Sequence, residues 1–165
     1  MAETIIIPRS IIRRILREAE RMGMSLEEYV IELLSQSLDP RDKAIEYIEV
    51  AKMLLEQARI ELEKGDIRQA AEKTWGAAAL AVKAYAYMKE GKHIRSHGEL
   101  WKYTDILKKE LGDWVHDAWM SANGMHVCFY DGWCTQDHVK DSLKRIIKLV
   151  REIESKIKNK ASLSR

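Results

Sequence analysis

Apolar residues recur at intervals of three and four along most of this chain, the spacing of one buried face of an α-helix. Ile48, Ala51, Leu55, Ala58 and Leu62 give such a face to residues 40–64. Near the C-terminus Val139, Leu143, Ile146, Val150, Ile153 and Ile157 follow the 4-3-4-3-4 rhythm of a bundle seam. Residues 66–90 carry Ala70, Ala71, Ala77, Ala78, Ala79, Ala81, Ala84 and Ala86, so this helix is expected at the centre, where small side chains let neighbours come close. Shorter helices are expected over 97–111 and 113–123, and 124–134 (GMHVCFYDGWC) reads as an aromatic-rich connection.

Helix ends are marked by residues that satisfy otherwise unpaired backbone groups. Ser25-Leu26-Glu27-Glu28 and Ser96-His97-Gly98-Glu99 are capping boxes, and Asp39-Pro40 sets an N-cap before a proline. Gly65-Asp66 ends one helix and starts the next, and Thr135 can cap the last. From residue 40 onward the pattern predicts an antiparallel all-α bundle spanning 40–158, with a basic tail at 159–165.

Residues 1–39 follow a different pattern. Thr4-Ile5-Ile6-Ile7 is a β-branched run halted by Pro8, and a short strand is expected there. A helix bearing Ile12, Ile15, Leu16, Ala19 and Met22 follows, then a turn at Gly23-Met24 and a second helix with Tyr29, Val30, Leu33 and Leu34. Strand, helix, turn and helix over residues 4–38 resemble a ribbon-helix-helix module, a family in which two chains pair their strands; the alternative is a plain helical hairpin with an extended leader. The resemblance implies a homodimer with Ile5 and Ile7 turned into the shared core. Thr4 and Ile6 would then face outward, because a strand alternates its faces. Isoleucine has no donor or acceptor with which to read a base edge. With five basic against seven acidic residues in 1–39, this departure from the operator-reading members favours dimerisation over DNA recognition.

Composition narrows the picture further. The 165 residues are 33% charged and 46% apolar, a globular balance long enough for a real core. Net charge is only +2, but residues 140–165 hold nine Lys/Arg against three Asp/Glu. That local excess reads first as a solvated helix face, and non-specific nucleic-acid contact through it is the minority account. No apolar run approaches the ~20 residues needed to cross a bilayer, and no membrane association or signal peptide is expected. Two cysteines are too few for a disulfide framework, so a cytoplasmic location is expected. Two asparagines and four glutamines amid abundant Glu, Lys and Ile hint at a thermophilic source.

GDIRQAAEKTWGAAALAVKAYA, then HGELW, then MHVCFYDGW, together resemble the PaREP family of Pyrobaculum and other crenarchaea, over roughly residues 40–155. That family is grouped with the HEPN superfamily of helical bundles. The resemblance implies a HEPN-like dimeric bundle, and a nucleotidyltransferase-like partner protein as in toxin–antitoxin pairs. HEPN ribonucleases carry an arginine, four to six intervening residues, then a histidine. Here no arginine precedes a histidine at that spacing; Arg95 is too close to His97, and Lys92 fits the count only as a substitute. Lysine lacks the bidentate phosphate fork. The expectation is therefore a non-enzymatic binding or interaction module, with a divergent ribonuclease or nucleotide-binding protein, and a plain scaffold, as alternatives.

Where helix 66–90 meets 96–101 and 124–134, the sequence predicts a ligand cleft lined by Trp75, His97, Trp101, His126 and Tyr130. The competing account is that these rings, like Trp114 and Trp119, simply pack in the core. His126, Cys128, Cys134 and His138 have the ligand types of a zinc site, but H-x-C-x5-C-x3-H matches no zinc spacing. No metal, cofactor or catalytic residue is assigned.

Overall fold

Helices account for nearly all of residues 3–163, the part of the chain described by the computed structural model. They are α1 (Arg9–Arg21), α2 (Leu26–Leu34), α3 (Pro40–Glu63), α4 (Ile67–Glu90), α5 (His97–Leu111), α6 (Trp114–Asp131) and α7 (Gln136–Leu163). Their contacts divide the chain into two compact units, Met1–Ser37 and Leu38–Arg165. No described helix is long and apolar enough to cross a membrane.

In the larger unit α4 is the axis, packed against α3, α5, α6 and α7. Its alanines are the reason: Ala70, Ala71, Ala77, Ala78, Ala81, Ala84 and Ala86 are fully buried. Gly76 brings α3 closest, since a Cβ there would stand 3.1 Å from the Leu54 side chain. Asp39 caps α3 through Asp42 N–H (2.9 Å), and Gly65, at φ +81°, turns the chain into α4. The seam expected on α7 is buried at every position from Val139 to Ile157.

Two expectations give way here. Residues 124–131 are not a connection but the second half of α6. Burial of Met125 and Cys128 on the same side as Ala118 and Ala122 outweighs the helix cost of Gly124, roughly 1 kcal/mol. The helix stops at Gly132, whose left-handed conformation lets its N–H reach Cys128 O at 2.7 Å. Likewise α7 runs through Leu163, so residues 159–163 are helical rather than a tail, and 164–165 lie outside the described residues.

The smaller unit pairs α1 with α2 across a turn closed by Met24 N–H on Ala19 O (2.9 Å). Ser25 Oγ caps α2 by accepting from Glu28 N–H at 3.1 Å. The strand expected at 4–7 is absent; among the described residues there is no strand at all. A strand exists only through its ladder, and no described segment of this chain supplies one. Ile5 and Ile6 are 84% and 92% exposed.

Candidate functional site

Six rings from three helices meet in the larger unit. Trp75 comes from α4, His97 and Trp101 from successive turns at the start of α5, and Trp119, His126 and Tyr130 from α6. On α6 the spacing of seven and then four places all three on one stripe. The Trp75 indole is at the centre. His97 stacks on it with centroids 5.6 Å apart and planes 16° from parallel. His126 lies 4.7 Å and Trp119 5.3 Å from the same ring. The two imidazoles are 5.5 Å apart, Tyr130 meets His126 edge-on at 5.2 Å, and Trp101 meets Trp119 edge-on at 5.9 Å. The His97–Trp75 stack and the two edge-on pairs are arrangements that aromatic quadrupoles favour, and the other three contacts are tilted between them.

The five residues expected to share a cleft are thus brought together, and Trp119 joins them as a sixth. Reading 124–134 as a connection hides it, because Trp119, Asn123, His126 and Tyr130 form a stripe only on a continuous helix. The cluster grades from dry to wet. Trp119 is 1% exposed, Trp101 and His126 are half-buried, and His97 and Tyr130 (64%) face solvent. The result is an open ring-lined face over an indole floor.

Polar contacts around the cluster hold the rings in place. Ser96 Oγ accepts from Glu99 N–H (3.3 Å), Glu99 accepts from Arg95 N–H (2.8 Å), and Lys92 Nζ lies 3.0 Å from Glu99, fixing the loop that delivers His97. Lys92 is therefore tied to Glu99, with its ammonium over the Tyr103 ring, and not presented to a ligand. Tyr130 is positioned by Arg68, which donates to Phe129 O (2.8 Å) and Tyr130 O (2.6 Å) at the carbonyl end of α6. Arg68 precedes them by some sixty residues, and nothing local in the sequence connects them.

Burial, and then the neighbouring His97, lower the His126 pKa from its usual 6.5. Near neutrality its ring is uncharged, with one donor and one acceptor nitrogen. The Trp119 indole N–H, in the same cluster, is buried without an acceptor among the described residues.

Cys128 and Cys134 are joined by a disulfide, their Cα atoms 5.6 Å apart, across the end of α6. A count of two cysteines argues against a framework of bridges but does not prevent one local bridge where a helix end folds back. With the sulfurs bonded to each other and His138 accepting from Thr135 N–H (3.0 Å), the mixed Cys/His set does not converge. Trp133 is 50% exposed beside His138. A separate groove of about 450 Å³, lined by Pro40, Ala44, Tyr87, Met88, Ile157 and Lys160 among others, lies away from the rings.

The bundle's sequence relatives are archaeal. Residues 46–150 match the archaeal PaREP1/PaREP8 family. The chain belongs to that family. All six ring residues of this PaREP protein fall inside the matched segment, whereas the Met1–Ser37 unit lies outside it. A Sulfolobus solfataricus protein of known crystal structure is 27% identical with a TM-score of 0.57, over 64% of this chain and 94% of that one. No curated protein matches.

Proposed function

We propose that this PaREP protein is a HEPN-like, dimeric binding module. In this reading the bundle takes a flat, hydrogen-bonding ligand, of which a nucleobase is the simplest, on the ring-lined face. The observation that carries it is the stack of solvent-facing His97 on Trp75, with a second, neutral imidazole 5.5 Å away. A base laid on that surface gains stacking worth roughly 1–3 kcal/mol and meets one donor and one acceptor on His126. Pure core packing would have turned these rings inward, yet His97 and Tyr130 are exposed and His126 is only half-buried. The HEPN-like assignment rests on the bundle motifs, and a nucleotidyltransferase-like partner belongs to the same reading. Two chains would associate through the N-terminal unit in ribbon-helix-helix fashion, with Ile5 and Ile7 covered by their equivalents.

A second reading, ribonuclease activity, is favoured by one feature: two imidazoles at 5.5 Å can act as an acid–base pair. Against it stand the missing arginine and the pairing of Lys92 with Glu99. Binding without chemistry is therefore the first reading.

Titrating nucleoside monophosphates and short RNA against tryptophan fluorescence tests both. His97→Gln with His126→Gln should weaken binding about tenfold, equivalent to ~1.4 kcal/mol of lost stacking, while the melting temperature is held. Unchanged binding with a large drop in melting temperature would return the rings to core packing. RNA cleavage by the parent protein that disappears in the double variant would establish the nuclease reading.

A further inference from the structure

We infer that α1 carries a second binding surface, an arginine face suited to the sugar–phosphate backbone of a nucleic acid. The inference rests on α1 alone and is independent of the aromatic cluster. Counted along the chain, residues 1–39 are slightly acidic, but the fold sorts their charges. All five basic residues, Arg9, Arg13, Arg14, Arg17 and Arg21, lie on α1, whose acids are Glu18 and Glu20. At about 100° per residue the five arginines occupy an arc of about 140°, which exposed Glu20 enters only beyond Arg17, so the row of Arg9, Arg13 and Arg17 itself holds no acid. Ile12, Ile15 and Ala19 lie on the opposite side, half-buried or buried. All five arginines are exposed. Arg21 pairs with Glu18 at 3.1 Å, whereas Arg9, Arg13, Arg14 and Arg17 make no ion pair or hydrogen bond with described residues.

Three further observations point to phosphate. The first 39 residues contain no lysine, although the chain has sixteen, all from Lys43 onward. A surface built only for solubility has no reason to exclude lysine. The planar guanidinium fork matches two phosphate oxygens at once, which an ammonium cannot do. Arg9, Arg13 and Arg17 repeat every four residues, one row about 12 Å long on the helix surface. The row begins at a helix N-terminus where Pro8 supplies no side-chain cap and the first turn holds no acid, so the positive end of the helix is unopposed.

The rest of the chain shows the contrast. On α7, Lys140, Lys144 and Lys158 pair with Asp137, Asp141 and Glu154, Lys156 pairs with Glu110, and Lys148 lies over Trp114. Four of the eight basic residues on α7 thus meet an acid, while Arg145 and Arg151 are exposed without an ion pair to described residues; the denser set of open guanidinium groups is on α1, and the nucleic-acid contact expected of the C-terminal helix is proposed for α1 instead. A lipid surface fits α1 less well. An interfacial helix must sink its apolar face, but here Ile12, Ile15 and Ala19, on the side away from the arginines, are half-buried or buried, which leaves Ile11 and Leu16 as the exposed large apolar residues of α1. Row contacts of this kind hold phosphates rather than bases, so binding is insensitive to sequence.

The test uses the full-length protein and labelled short duplexes of DNA and of RNA, read by fluorescence anisotropy across a salt series. The parent protein should bind at low salt, equally to unrelated sequences, and the two duplex arms decide which backbone is preferred. Arg9→Gln, Arg13→Gln and Arg17→Gln together should weaken binding at least tenfold. They should also make the log–log salt dependence shallower by about two to three, with the circular dichroism spectrum unchanged. The matching triple lysine variant should recover part of the loss. Lys140→Gln, Lys144→Gln and Lys158→Gln together should change affinity less than twofold. Parent-like binding by the arginine triple variant, loss confined to the α7 variant, absence of duplex binding at low salt, or binding only to anionic phospholipid vesicles would each overturn the inference.

Discussion

Lys83 shows how one side chain can shape the behaviour of the protein. It lies on α4 among the buried alanines, only 7% exposed, and burial lowers its pKa from 10.5 to about 8. Below pH 8 both folded and unfolded chains hold the proton, and the burial cost is present in full. Between pH 8 and 10.5 the unfolded chain binds the proton that the folded one has released, so stability rises with pH, by at most ~3 kcal/mol. Tyr85 and Tyr103 act in the opposite direction. Burial holds both hydroxyls at a pKa of about 12, so the folded chain keeps protons the unfolded one loses and stability falls from pH 10 upward. The urea midpoint should therefore climb from pH 8, peak near pH 10, and fall beyond it. Lys83→Met should raise the midpoint at pH 7 and remove the climb; a midpoint falling steadily from pH 8 in the parent protein would contradict this account. His126 adds a smaller slope at the acid end. Its lowered pKa means that stability is lost as pH falls below 6.5 through the folded value.

At the scale of elements, two glycines inside helices have opposite reasons to be there. Gly76 sits where α3 and α4 come together, and an added Cβ would stand 3.1 Å from Leu54 Cδ1, itself in a side chain only 1% exposed. Gly124 interrupts α6 with a far looser neighbour, the Trp133 ring at 3.9 Å. Gly124→Ala should thus stabilise by about 0.5–1 kcal/mol. Gly76→Ala should destabilise by roughly 1–3 kcal/mol, because the crowded core cannot give way. Thermal melts of the two variants check the pair, and equal shifts would remove the distinction. Nothing local tells these glycines apart, and the reading of 124–134 goes astray for the same cause. A glycine beside a run of aromatic residues looks like a connection until Met125 and Cys128 are seen to be buried. By contrast, the faces of α3, α4 and α7 are legible in advance, since long helices with regular apolar spacing have only one side to bury. The capping residues Ser25, Asp39 and Ser96 are equally legible, each accepting from the backbone N–H three residues on.

For the molecule as a whole, the imbalance between the two units leads to a prediction of assembly. Among its described residues the Met1–Ser37 unit buries only Ala19, Ile31 and Ser35, while Ile5, Ile7, Ile11, Leu16, Met22, Leu33 and Leu34 are exposed. So little burial cannot offset the entropy of ordering about 37 residues, at roughly 1–2 kcal/mol each, which is why a second copy is expected over them. On the proposed pairing the parent protein should be a dimer in light scattering, and Ile5→Asp with Ile7→Asp should leave a monomer while the helical signal of the larger unit persists; a monomeric parent, or a dimer unchanged by the substitutions, would refute strand pairing. The sequence by itself determined that the chain is helical, where most helices start and stop, which faces of α3, α4 and α7 are buried, and which ring residues of the candidate site were worth naming. These are properties of neighbours three or four residues apart, for which spacing and capping chemistry suffice. Only the tertiary structure decided that α6 continues to Asp131, that Trp119 completes the ring cluster, that Arg68 clamps the end of α6, and that Cys128 and Cys134 are bonded. It also showed that the arginines of α1 share one exposed face while most lysines of α7 are paired. Each of these depends on burial, or on contacts across an element or between segments far apart in the chain, and a local pattern of residues carries no record of either.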